Sequence, residues 1–198
     1  MIAPRTLAQR LQDARVAQLV AAIVVTLKPL FPGVEVRELP GRIDISDIIA
    51  GDIFPPPMIG VTFQRVRQPI NVGGSFDLPV ELVAYIVTEE MAIGSRAERR
   101  ETIAHALGFG LFEILADPDL TLPRWGLTSI SLPEDAEMRP LVTAASYGKG
   151  VGYYTLTWRQ ALKGFGGDPL ERMRYTAVEA VEDGEIVHFP PDLSGAPV

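Results

Sequence analysis

Apolar residues near the start of the chain recur at helical spacing. Leu7, Leu11, Val16, Leu19, Val20, Ile23 and Leu27 predict one helix from about Leu7 to Lys28. Thr6 with Gln9 forms a capping box at its start, and Pro29 with the "FPGV" turn (Phe31–Val34) stops it. The second half is apolar nearly all round, so it is expected to touch its own core and something else. "VEVRELP" (Val34–Pro40) alternates as a short strand, and the triple proline ending at Pro57 predicts a rigid, extended lead. "MIGVTFQRV" (Met58–Val66) predicts a strand with Ile59, Val61, Phe63 and Arg65 on one face. "RQPINVGGSFDLP" (Arg67–Pro79) reads as a loop tipped by Gly73-Gly74.

"VELVAYIVTE" (Val80–Glu89) is the strongest strand signal, being β-branched and aromatic-rich. A helix is predicted from Ser95, as N-cap with Glu98 closing a box, to about Ala116, with Asp117-Pro118 ending it. "WGLTSISLP" (Trp125–Pro133) and "GVGYYTLTWRQAL" (Gly150–Leu162) alternate as strands. Between Arg174 and Phe189, Asp183-Gly184 separates two β-like runs, a hairpin signal. The order predicts an α+β fold: a mostly antiparallel sheet packed on one face by two main helices, with a C-terminal hairpin extension. The expected division is a domain over 1–162 and an extension over 163–198.

Composition narrows the chemistry. The chain has 198 residues, 47% of them hydrophobic, enough for a core in one domain. It contains 0 cysteines, which excludes a thiol nucleophile, a disulfide framework and a Cys-based zinc site. A net charge of −7 argues against wrapping nucleic acid, whose affinity comes from neutralising phosphates. The apolar run Val16–Leu27 follows a charged lead and is too short to span a bilayer, so the expectation is a soluble, intracellular protein without membrane contact.

One stretch, "ETIAHALGFG" (Glu101–Gly110), matches half of a metzincin zinc helix through His105 and Gly108. The other required positions hold Glu101, Thr102 and Leu111, so no metal site and no cofactor is expected. Ile103, Leu107, Gly110, Leu111 and Ile114 form the predicted core stripe, which puts His105, Phe109 and Phe112 on the far side, a candidate oligomer contact. Glu89, Glu90, Arg96, Glu98, Arg99, Arg100 and Glu101 read as a solvated, ion-paired face rather than a catalytic cluster. "GKGVGYY" (Gly148–Tyr154) lacks a Walker ending and reads as a turn, and there is no nucleophile elbow. No catalytic residue is assigned.

The sequence of elements carries a likeness. A long N-terminal helix ends in "LFPGVEV". The strands "FPPPMIGVTF" and "VELVAYIVTE" follow, then an Arg-rich opening to a central helix, then "YYTLTWRQAL". Over roughly residues 7–160 this resembles the tail terminator proteins of tailed bacteriophages, the phage Mu type among them. The resemblance implies a structural virion protein and not an enzyme. Such a protein forms a homo-oligomer, typically a hexameric ring, on the head-proximal end of the tail tube. Its partners would be the tail tube protein, a neck or head connector protein and the sheath protein. Genomic DNA would pass through the lumen without being read. Its place would be the virion tail at the neck, reached from the host cytoplasm during assembly. Exposure logic, not the resemblance, names the contact candidates: Phe109, Phe112 and His105 on the helix, Asn71 and Phe76 in the loop, Asp183 and Gly184 in the hairpin. The alternatives are another neck or tail-completion protein, or a small metal-dependent hydrolase using Glu89, Glu90 and His105.

Overall fold

The computed structural model describes residues 4–41, 55–73, 75–117, 124–141, 150–165, 179–182 and 185–188. It is an α+β fold built on a mixed, mostly antiparallel sheet. The helices are α1 (Leu7–Gln12), α2 (Arg15–Leu27) and α3 (Arg100–Ala116). The strands are β1 (Glu35–Glu38), β2 (Met58–Val66), β3 (Ile70–Val72), β4 (Ser75–Glu89), β5 (Met91–Ile93), β6 (Arg96–Glu98), β7 (Glu134–Pro140), β8 (Val151–Phe165), β9 (Glu179–Glu182) and β10 (Glu185–His188).

The central sheet runs β1-β2-β4-β8-β7, with β3 pairing the first residues of β4. Among the described residues, only the β1–β2 ladder of this sheet is parallel. Long β4 and β8 pair along nearly their whole length, from Phe76↔Phe165 to Glu89↔Val151, and form the spine. Their inner face, Val80, Leu82, Ala84 and Ile86 with Leu156, Trp158 and Leu162, meets α2 and α3 in the main core. Alternation explains it: β4 buries every second residue against the helices. The opposite face carries a smaller cluster of Leu39, Val83 and Tyr85, with Leu141 and Tyr153 packed on it. β7, rich in Glu, Asp and Arg, forms one edge of the sheet, where charge discourages pairing with another chain.

Several elements depart from the sequence reading. The predicted first helix is split. Asp13 caps α1, Ala14 precedes α2, and an Arg5–Asp13 ion pair closes the corner. Asp is a weak helix former, and here its carboxylate is held by Arg5 at the break between the two helices. Pro56-Pro57 is a cis bond within a bend, not an extended lead. A register shift between Phe63 and Arg65 brings Arg65 opposite Glu81, so the alternation predicted for β2 fails at its end.

The predicted 67–79 loop is instead a hairpin. Asn71 pairs with Phe76, and Gly73 turns at φ 57°; Gly74 lies outside the described residues. Ser95 is no N-cap: β5 and β6 form a hairpin across Gly94-Ser95, and α3 begins after Arg99, which makes no side-chain cap. Met91, Ala92 and Ile93 pair with Glu98, Ala97 and Arg96, and this pairing outweighs the capping pattern. The predicted 125–133 strand is replaced by a turn of 3-10 helix at Arg124–Gly126 and a single bridge, Ile130↔Leu162.

The turn reading of "GKGVGYY" applies to Gly150, at φ 74°. Gly152 is already in β8, and a Cβ there would stand 3.0 Å from Thr88 Oγ1. β9 and β10 pair antiparallel with Glu182 opposite Glu185, as a two-residue hairpin loop requires. Asp183 and Gly184 themselves lie outside the described residues, as does Pro118.

Candidate functional site

Helix α3 carries the residues first picked out by the partial zinc motif. Its buried positions are Ile103, Ala104, Gly108, Leu111 and Leu115. Ala104, Gly108, Leu111 and Leu115 follow a four-three-four spacing, so the core stripe is rotated from the predicted one. Leu107, Gly110 and Ile114 are only half-buried. His105 and Phe109, one turn apart, do face outward, and Phe109 is 65% exposed. Phe112 does not join them. It lies one turn beyond Gly108 and packs against the main core, half-buried.

Gly108 has a packing reason rather than a metal-site reason. A Cβ there would come 2.8 Å from Met138 Cε and still closer to the sulfur, so its absence lets β7 approach the helix. The His105 ring stands edge-on to Tyr154 of β8, centroids 5.5 Å apart. Burial raises the Tyr154 hydroxyl pKa, and the nearby Glu101 carboxylate raises it further. Arg100 Nε donates to Glu101 Oε1 at 2.7 Å. That hydrogen bond lowers the Glu101 pKa. Glu89 and Glu90 are exposed where β4 leaves the sheet. Among the described residues, no group of three or more His, Asp or Glu side chains could hold a metal ion. Nor, among them, is any helix long and apolar enough to cross a membrane.

A second exposed surface is the β3–β4 hairpin. Asn71 is exposed and Phe76 half-buried, and the pairing sets them side by side. The larger apolar exposure is on β3 itself: Ile70 is 57% and Val72 53% exposed. The Ile-Asn-Val alternation held that signal, hidden by the glycines that marked the stretch as a loop.

The same sheet carries a charge ladder across neighbouring strands. Arg65 forks onto Glu81 with Nε–Oε2 at 2.9 Å and Nη2–Oε1 at 3.0 Å, and Arg67 Nε adds a bond of 2.6 Å. Burial pushes the Glu81 carboxyl up, but the Arg67 and Arg65 hydrogen bonds outweigh it and hold the group below its ordinary pKa. Next in register, Arg159 of β8 reaches Asp135 at 2.6 Å and Glu134 at 3.5 Å. These are satisfied ion pairs at a half-solvated surface, an arrangement for holding strands in register rather than for proton transfer.

Deeper in, Gln160 is buried with every polar end used. Its Oε1 accepts from Trp125 Nε1 at 3.0 Å and Trp158 Nε1 at 3.1 Å, and its Nε2 donates to the Ser131 carbonyl at 2.9 Å. The network holds Trp125 in a left-handed conformation, φ 54°, uncommon for a bulky residue. Sequence reasoning missed it; the signal was the alternation of β8, which puts Gln160 on the same face as Leu156, Trp158 and Leu162.

Compared with protein-family models and with curated protein sequences, the chain matches none.

Proposed function

We propose that this protein is a structural component of a bacteriophage tail, a terminator that assembles as a ring on the head-proximal end of the tail tube. One observation carries the reading: large apolar side chains are exposed on separate elements, Leu7 and Leu11 on α1, Phe109 on α3, Ile70 and Val72 on β3. Apolar groups spread over several faces suit contacts with several neighbours, as a ring subunit between tube and connector requires. The resemblance in element order points the same way. The net charge of −7 is compatible with a lumen that DNA traverses without sticking, since like charges repel. Among the described residues His105 joins no group with Glu89 and Glu90 that could hold a metal ion, so the hydrolase alternative gains no support.

In this reading the ring ends tube growth by covering the last tube subunit with one surface and offering the next tube subunit no matching surface on the other. The far surface receives the neck or head connector protein. Deleting the gene from the phage is expected to give overlong, headless tails in electron micrographs. Tails of normal length joined to heads would refute the reading.

A further inference from the structure

Helix α1 buries none of its residues, yet it is firmly built. Thr6 and Gln9 close a capping box at its start. Gln18 Nε2 donates to the Gln12 carbonyl at 2.7 Å, fixing its end on α2. Arg15 secures that corner to the Ser129 and Lys163 carbonyls, each at 2.9 Å. Leu7 and Leu11, four apart and so on one face, are left 73% and 65% exposed. Arg10 is exposed in the last turn.

At the opposite end of α2 lies an open groove of about 490 Å³, lined by Leu30, Phe31, Gly110, Glu113, Ile114 and Asp117. Its wall is apolar, with Leu30 48% exposed, and its rim is acidic. Gly110 keeps it open beside Phe31, since a Cβ there would stand 3.2 Å from the Phe31 ring. Two leucines flanked by an arginine on one side, and an apolar groove rimmed by Glu113 and Asp117 on the other, are complementary in hydrophobicity and in charge.

We propose that this groove receives α1 from a second copy of the chain. A chain's own α1 cannot fill it: the 13 residues of α2 separate the two by about 20 Å, and α1 is anchored at the far end. Passed head to tail, arm of one copy into groove of the next, the contact is heterologous and leaves an arm and a groove free at the ends of every open oligomer; exchanged between two copies, it closes a two-fold dimer. Repeated head to tail, it closes a ring or grows a filament. It rests on the ring reading only for closure.

The chain has 0 cysteines, so paired cysteines report the contact cleanly. A Leu11→Cys, Leu30→Cys double variant, oxidised with glutathione disulfide, should give disulfide-linked oligomers on a non-reducing gel, a ladder where arms pass head to tail and a dimer alone where two copies exchange them. Each single variant should give neither. Leu11→Asp, at a position exposed in the monomer, should weaken self-association in sedimentation by at least about tenfold, because one buried leucine is worth roughly a decade or more in affinity. Glu113→Arg should weaken it too, and adding Arg10→Glu should restore it. An intrachain disulfide in the double variant, a wild-type chain that stays monomeric, or a Leu11→Asp variant associating like wild type would each overturn the contact. Tail length in the deletion mutant judges the terminator reading separately.

Discussion

Replacing Gln160 with leucine tests the central polar network. Leucine is close to glutamine in volume, so the change leaves little cavity and acts mainly through lost partners. It orphans the Trp125 and Trp158 indole N–H groups and the Ser131 carbonyl, all three held by Gln160. A buried polar group left without a partner costs about 1–3 kcal/mol, so three cost roughly 3–9. Leucine's own burial returns about 1.5–3 kcal/mol. With partial relaxation of the Ser129–Ser131 segment, the expected net loss is about 2–5 kcal/mol, a large share of the ~5–15 kcal/mol that holds a domain together. Trp125→Phe keeps the ring and removes one donor while Oε1 still accepts from Trp158, so it should cost less, about 1–2 kcal/mol. The assay is urea unfolding followed by fluorescence. The chain has 2 tryptophans, and both donate to Gln160, so native emission reports on the network itself. A loss in Gln160→Leu below about 1 kcal/mol, with native emission unchanged, would refute the view that this network holds the 125–131 turn onto β8.

The other predictions probe different links. Gly60→Ala places a Cβ 2.8 Å from Leu39 Cγ and closer still to Cδ1, so it should destabilise by about 1–3 kcal/mol in urea melts. Glu81 has a lowered pKa in the fold, so its ion pairs stabilise above the unfolded carboxyl pKa and are lost as the pH falls through the lower folded value. Urea midpoints measured from about pH 7 down to pH 3 should therefore fall less steeply at the acid end in Glu81→Gln than in wild type. Thr6→Ala removes the capping box, a local loss of about 0.5–2 kcal/mol, but α1 buries nothing. Hydrogen exchange should speed up at residues 9–12 while the urea midpoint of the domain stays put.

Local signals of fixed geometry were legible in the chain. The Thr6 capping box, strand β2, the apolar half of β4, strand β8, the helix ending at Asp117 and the α+β order all follow from periodicity and from residues whose backbone preferences need no partner. So did the outward placement of His105 and Phe109, four apart on one helix. What the chain alone left undecided was every choice between two local states of similar free energy. Ser95 with Glu98 could cap a helix or turn a hairpin, and cross-strand pairing of Met91 with Glu98 chose the hairpin. Gly73-Gly74 could tip a loop or a hairpin, and the free edge of β4 beyond the end of β2 drew β3 into the sheet. The exact stripe of α3 came from Met138 and Ile86, remote in sequence, which meet the helix at Gly108. Alternation along β8 puts Gln160 on the inner face, but its burial becomes favourable only when the Trp125 indole and the Ser131 carbonyl, remote in sequence, join neighbouring Trp158 around it. Propensity acts within a few residues; sheet pairing, close approach and buried hydrogen bonds exist only once distant segments meet.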